Sequence, residues 1–228
     1  MPVSACVFDA YGTLFDVAAA AGRCGDALGG EADRLAALWR DKQLQYTWLR
    51  TVQGRHADFW QVTQDALDLA LETLALSEAG LRERLMQLYL SLDPFPEVSP
   101  ALRRLRGTGL ALAILSNGTP GMLAAAVENA GLGGAFDQVL SVEAVGVYKP
   151  HPEVYRLACE RLDLAAGAIA FISSNAWDAH AAAGFGMRSV WCNRYDQQQE
   201  RLPGRPDREI RSLADLPMLV AGGAASMP

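Results

Sequence analysis

Short apolar runs that stop abruptly on a polar residue constrain this chain more than any other feature. They are "SACVFD" (4–9), "LALAILSN" (110–117), "DQVLSV" (137–142), "AIAFISSN" (168–175) and "RSVWCN" (188–193). Nearly continuous apolarity, rather than alternation, marks strands covered on both faces. Helical patterns separate the later runs, at 98–109, 120–131, 151–162 and 176–186. Strand–helix alternation predicts right-handed βαβ units and an open parallel sheet, an α/β fold with a Rossmann-like core.

The stretch from Phe15 to about Pro96 breaks this rhythm. It has no convincing strand but several helical patterns, at 31–50, 56–74 and 78–92. An all-helical insert is expected there, a cap lying over the sheet, with "DPFPEVSP" (93–100) as the return hinge. The expected division is a core of residues 1–15 and 97–228 and a helical cap domain of 16–96, with the tail "AGGAASMP" beyond about 220 expected to fray.

Composition narrows the partners. A net charge of -6 in 228 residues argues against a nucleic-acid footprint. The start "MPVSACVFDAYG" lacks the basic and long apolar regions of a signal peptide, and no apolar run approaches the roughly 20 residues that span a bilayer. Cys6, Cys24, Cys159 and Cys192 form no CxxC pair and read as reduced thiols, so a cytoplasmic location is expected. His56, His151 and His180 show no ligand-like pattern, and no metal site or cofactor is expected from them.

Ligands of open α/β sheets bind where the strands end. Here the ends carry Asp9, Ser116 with Asn117, Ser141 with Lys149 a little further on, and Ser173 to Asn175. Adjacent parallel strands would bring these to one crevice. Asp9, partly desolvated at the end of a buried strand, needs a cation or several donors to stay charged. Gly12 permits a tight turn and Thr13 can orient the carboxylate; a helix-capping aspartate is the competing reading.

"FDAYGT", "ILSNG", "YKPHPEVY" and "FISSNAWDAHAAAGFGM" resemble, in order, the motifs of the haloacid dehalogenase superfamily. The segments "LWRDKQLQYTWLR" and "DFWQVT" resemble the cap of its L-2-haloacid dehalogenases. The resemblance covers nearly the whole chain. It implies that Asp9 is a nucleophile forming a covalent ester. Phosphatases of the superfamily carry a second acid where this chain has Tyr11, and a magnesium-holding acid where it has Ser174. A departing halide needs no proton and carbon attack needs no phosphate-bridging metal, so both departures fit dehalogenation.

The resemblance also gives the remaining site residues. Lys149 would keep Asp9 ionised and attract the substrate carboxylate, with a solvated lysine as the ordinary alternative. Ser116 and Asn117 would donate to that carboxylate, or else cap the helix that follows. Tyr155 would bond Lys149 or another site group, or simply pack. Ser173, Asn175 and Asp178 would position Asp9, Lys149 and the hydrolytic water, although Asn175 and Asp178 also read as a helix start.

Arg40 would receive the halide, sharing a helical face with Leu44 and Trp48. Tyr11, Leu44, Phe59 and Trp177 would wall the substrate side chain, core packing being the alternative for Phe59 and Trp177. The expected partners are a small 2-haloalkanoic acid and its halide, and the resemblance implies a homodimer. A magnesium-dependent phosphatase and a noncatalytic acid-binding scaffold are the alternative readings.

Overall fold

The computed structural model describes residues 3–17 and 28–222. Six parallel strands form one sheet: β1 (Ala5–Phe8), β2 (Ala111–Ser116), β3 (Gln138–Ser141), β4 (Ile169–Ser173), β5 (Arg188–Cys192) and β6 (Arg208–Ile210). Their spatial order is β3-β2-β1-β4-β5-β6. Ala5 to Phe8 are all fully buried, as are Leu112 to Leu115, which explains apolar runs without alternation. Burial of each large side chain in these strands contributes about 1.5–3 kcal/mol.

The chain builds outward from β1 in one direction through β2 and β3, then in the other through β4, β5 and β6. The switch point lies between β1 and β4, where a crevice opens at the carboxyl ends of the strands. Register makes the crevice specific. Phe8 pairs with Ile114 and Ile172, so Asp9 and Ser173 emerge side by side, tied by the Asp9 N–H donating to the Ile172 carbonyl at 2.9 Å. The sequence pattern reveals five of the strands. β6 escapes it because only Ile210 of its three residues is buried.

Four α-helices of the described residues lie between β1 and β2, the first three being α1 (Ala32–Gln53), α2 (Phe59–Thr73) and α3 (Leu81–Leu88). α1 buries Leu35, Trp39, Gln43 and Thr47, a row at spacing four, and ends on Gly54, whose φ of 63° suits glycine. α2 starts at Asp58, which accepts the Gln61 N–H at 2.8 Å. The later helices are α4 (Val98–Arg106), α5 (Pro120–Asn129), α6 (Pro152–Leu162), α7 (Ala176–Phe185) and α8 (Leu216–Gly222). The readings for Cys24 and for the tail beyond Gly222 lie outside the described residues.

The chain leaves the sheet and returns to it along one path. The Asp16 N–H donates to the Asp93 carbonyl at 2.9 Å, and the Phe95 N–H to the Leu14 carbonyl at 3.0 Å. Arg194, beyond β5, clasps this crossing. Its guanidinium lies 3.8 Å from the Phe95 ring centroid, pairs with Glu97 and donates to the Thr13 carbonyl at 2.8 Å. Burial pushes the Glu97 carboxyl up, but Arg194 and backbone donors outweigh this and hold it below the ordinary range.

Replacing Arg194 with Met should therefore cost about 2–4 kcal/mol in urea unfolding, because Glu97 is left half-buried without its cation. A loss below about 0.5 kcal/mol would show the crossing is held without it.

Candidate active site

Asp9 leaves β1 into a turn rather than a helix. Gly12, at φ 83°, lets that turn fold back so that Thr13 faces the carboxylate. The two oxygens of Asp9 are held differently. Oδ2 accepts from Thr13 Oγ1 at 3.0 Å, Asn175 Nδ2 at 2.8 Å and Ser173 Oγ at 3.3 Å. Oδ1 accepts only from Lys149 Nζ, at 3.1 Å, among the described residues. Thr13 and Ser173 are themselves fixed, accepting the Ser174 and Asn175 N–H groups at 2.8 and 3.1 Å.

Lys149 comes from the loop after β3 and is fully buried. Its ammonium lies between two carboxylates, donating to Asp9 and to Asp178 Oδ2 at 2.8 Å, with the Phe171 ring centroid 4.9 Å away. Burial alone would push the Lys149 pKa down; Asp178 and Asp9 outweigh it and raise it above the ordinary lysine value. The Asp178 carboxyl is pushed up to about 6, mainly by burial, with Asp9 adding to the rise and Lys149 opposing it. One ammonium cannot compensate two buried carboxylates, so the fully enclosed acid takes the shift. Tyr155 donates its hydroxyl to Asp178 Oδ1 at 2.7 Å, and burial raises that phenol.

The other strand-end residues have defined partners. Asn117 does not cap α5, which begins on Thr119; its Oδ1 accepts the Lys149 backbone N–H at 3.1 Å. The peptide between Lys149 and Pro150 is cis. Ser116 Oγ accepts the Gly118 N–H at 3.1 Å. Asn175 stands at the start of α7 but its side chain makes no cap; it turns to Asp9 and to the Tyr11 carbonyl.

Arg40 reaches from α1 to the same place, donating to Asn175 Oδ1 at 3.3 Å and Gln43 Oε1 at 2.7 Å. A largely apolar cavity of about 300 Å³ opens beside it, walled by Tyr11, Trp39, Leu85 and Tyr89 and reaching Asn175. Tyr11 is buried between Phe59 and Tyr89, with centroids 6.0 and 5.8 Å away. Phe59 stands behind Tyr11 rather than on the cavity wall. Leu44 and Trp177 are half-buried and also outside that wall, and Trp177 meets the exposed Trp48 edge-on at 5.6 Å. Trp39, Gln43 and Tyr89 escape sequence reading because each sits in an ordinary-looking helical row. The glutamine in the buried row of α1 is the one signal that could have flagged them.

Residues 3–186 match the haloacid dehalogenase-like hydrolases. The chain belongs to that family. It is 49% identical over 207 residues to the (S)-2-haloacid dehalogenase of Pseudomonas sp. (strain YL), covering 90% of this chain and 89% of that protein. It is 44% identical over 220 residues to (S)-2-haloacid dehalogenase 1 of Pseudomonas sp. (strain CBS-3), covering 96% and 97%. The L-2-haloacid dehalogenase of Xanthobacter autotrophicus with chloropropionic acid covalently bound superposes with a TM-score of 0.90 at 39% identity, covering 96% of this chain and 99% of that one. In this family member the crevice sets one buried ammonium against two carboxylates.

The raised Asp178 value has a stability consequence of defined sign. Its folded value, about 6, lies above the ordinary 3.8, so this group makes folding less favourable as pH climbs between them. The raised Lys149 contributes stability at neutral pH that is lost only as pH climbs through its folded value. Asp178→Asn removes the first effect. Its stability relative to the parent should improve by about 1–2 kcal/mol from about pH 5 to about pH 8 in urea unfolding. A relative stability that worsens over the same interval would contradict the assignment.

Proposed function

We propose that the chain is an (S)-2-haloacid dehalogenase, hydrolysing L-2-haloalkanoic acids to D-2-hydroxy acids and halide through an Asp9 ester. The observation that carries this is the asymmetry of Asp9: three donors pin Oδ2, while Oδ1 meets one cation. Oδ1, the less encumbered oxygen, attacks C2 from behind the carbon–halogen bond. The halide departs with the bonding pair toward Arg40, inverting C2. Lys149 and Ser116 hold the substrate carboxylate, so alignment supplies much of the rate.

In the ester, Oδ2 becomes the carbonyl oxygen. Water then adds to the Asp9 carboxyl carbon, and the negative charge that develops on Oδ2 meets Thr13, Ser173 and Asn175 already in place. Asp178, raised to about 6, is the proton acceptor best matched to neutral pH, held by Tyr155 and Lys149. The tetrahedral intermediate collapses, expelling the hydroxy acid's C2 oxygen, which takes up the proton that Asp178 accepted from the water. That oxygen came from Asp9, and C2 is not touched again.

Tyr11, Leu44, Phe59 and Trp177 provide apolar surroundings for the substrate, Tyr11 in the wall and the others around it. Asn117 acts through the Lys149 backbone. Residues 1–15 and 97–228 form the core and 16–96 the helical cap, the site lying between them. A homodimer is supported by exposed Trp48, Leu49 and Val52 at the end of α1, and a cytoplasmic location by the unpaired cysteine thiols and the absence of a membrane-length apolar helix among the described residues. A phosphatase reading lacks its leaving-group acid, Tyr11 standing in that place.

The test is halide release over L- and D-2-halopropionate and haloacetates. Release from the L isomer alone, with D-lactate formed and Asp9→Asn slower by at least about 10³-fold, is expected. A single turnover in heavy-oxygen water should label Asp9; label found directly in the product would overturn the covalent route.

A further inference from the structure

Many arginines of this structure pair with acids, among them Arg50 with Asp65, Arg82 with Asp68, Arg106 with Asp137 and Arg194 with Glu97. Arg40 does not. No carboxylate among the described residues lies in salt-bridge range of it, and its guanidinium is held by two amide oxygens, Gln43 Oε1 and Asn175 Oδ1. The first of these is wholly buried and rigidly placed. Gln43 Nε2 donates to Thr63 Oγ1 at 2.7 Å, and that hydroxyl donates to the Phe59 carbonyl at 2.6 Å, tying α1 to the first turn of α2. The Tyr89 hydroxyl also donates to Gln43 Oε1, at 3.4 Å.

An arginine side chain needs an acceptor to fix its direction, and a carboxylate is the usual one. A carboxylate would also cancel the charge. The amide supplies direction without cancellation. It is also bifunctional: its oxygen takes Arg40 while its nitrogen anchors to Thr63, whereas an ionised acid has no donor for that anchor. In a cavity lined mainly by apolar groups, an uncompensated cation is the group that a departing anion can use.

We propose that Gln43 is a positioning residue for the reaction, a neutral relay that aims Arg40 at the leaving halide while leaving its positive charge unspent. This rests on the halide role of Arg40 given above. Gln43 does not touch substrate; it acts through the guanidinium.

The experiment compares Gln43→Glu and Gln43→Met with the parent enzyme, measuring chloride inhibition, kcat and KM on L-2-chloropropionate and thermal unfolding. Gln43→Glu keeps shape but neutralises Arg40. It should weaken chloride inhibition at least about tenfold and lower kcat about 10–100-fold, with KM changed much less. Gln43→Met leaves the charge but not its aim, so kcat should fall about tenfold while chloride affinity changes less than about threefold.

Chloride inhibition and kcat of Gln43→Glu within about twofold of the parent would overturn the proposal. So would Gln43→Met losing as much chloride affinity as Gln43→Glu, since the site would then respond to any lesion. Should Gln43→Glu not fold, Gln43→Met alone decides: an unchanged kcat refutes the relay. A parent enzyme releasing no halide would instead refute the function itself, which separates the two failures.

Discussion

The rest of the site depends on one ammonium held between two carboxylates. Lys149 Nζ lies within hydrogen-bond distance of both Asp9 and Asp178, and all three side chains are buried or nearly so. Such a triad is poor value as a source of stability, since desolvating the ions cancels most of their attraction. Its use is chemical. The lysine donates to both carboxylates, and burial, with Asp9 adding to it and Lys149 opposing it, leaves Asp178 raised to about 6, within reach of a neutral-pH proton transfer. Each partner arrives from a different element: Asp9 from β1, Lys149 from the loop after β3, Tyr155 from α6 and Asp178 from α7. The parallel sheet with its switch point beside β1 is what brings them within bonding distance.

Much of this was legible because buried strands announce themselves and their ends are few. Asp9, Ser116, Ser173 and Asn175 were found from where apolar runs stop, and Lys149 and Asp178 from the motifs that follow those stops. Direction was not legible. Asn117 Oδ1 accepts the Lys149 backbone N–H, an anchor set by a loop more than thirty positions away in sequence, and this leaves the amide nitrogen as the donor. Gln43 and Tyr89 were invisible for a different reason. A helical row repeating every four residues reads as core whether its function is packing or orienting a cation. β6 was missed because a three-residue edge strand has too short a pattern to distinguish from a loop.

Arg40 and Arg194 show how the same side chain is put to opposite uses. Arg194 is paired with Glu97, stacked on Phe95 and bonded to the Thr13 carbonyl, so its charge is spent holding the crossing between sheet and helices. The nucleophile turn inherits that rigidity through Thr13, which in turn donates to Asp9. Arg40 is held by two amide oxygens beside the Tyr89 hydroxyl, with no carboxylate in salt-bridge range among the described residues. A structure that fixes its frame with ion pairs and aims its reactive cation with neutral groups separates stability from chemistry.

Tyr11 completes the separation. A carboxylate in its place would add a third acid beside Asp9 and Asp178, with only Lys149 bonded to both. The tyrosine instead puts a ring against Phe59 and Tyr89, and its hydroxyl has no hydrogen-bond partner among the described residues. Burial, with Tyr89 and Asp9 adding to it, drives that phenol far above its ordinary value, so it stays neutral. The ring's room comes from the β2 loop: a Cβ on Gly118 would lie 2.7 Å from the Tyr11 ring. The glycine of "ILSNG" is thus coupled to the residue two positions after the nucleophile. Exchanging that tyrosine for an acid would therefore change both the charge balance of the site and the fit of two loops, which makes the aromatic a built part of the crevice rather than a lost carboxylate.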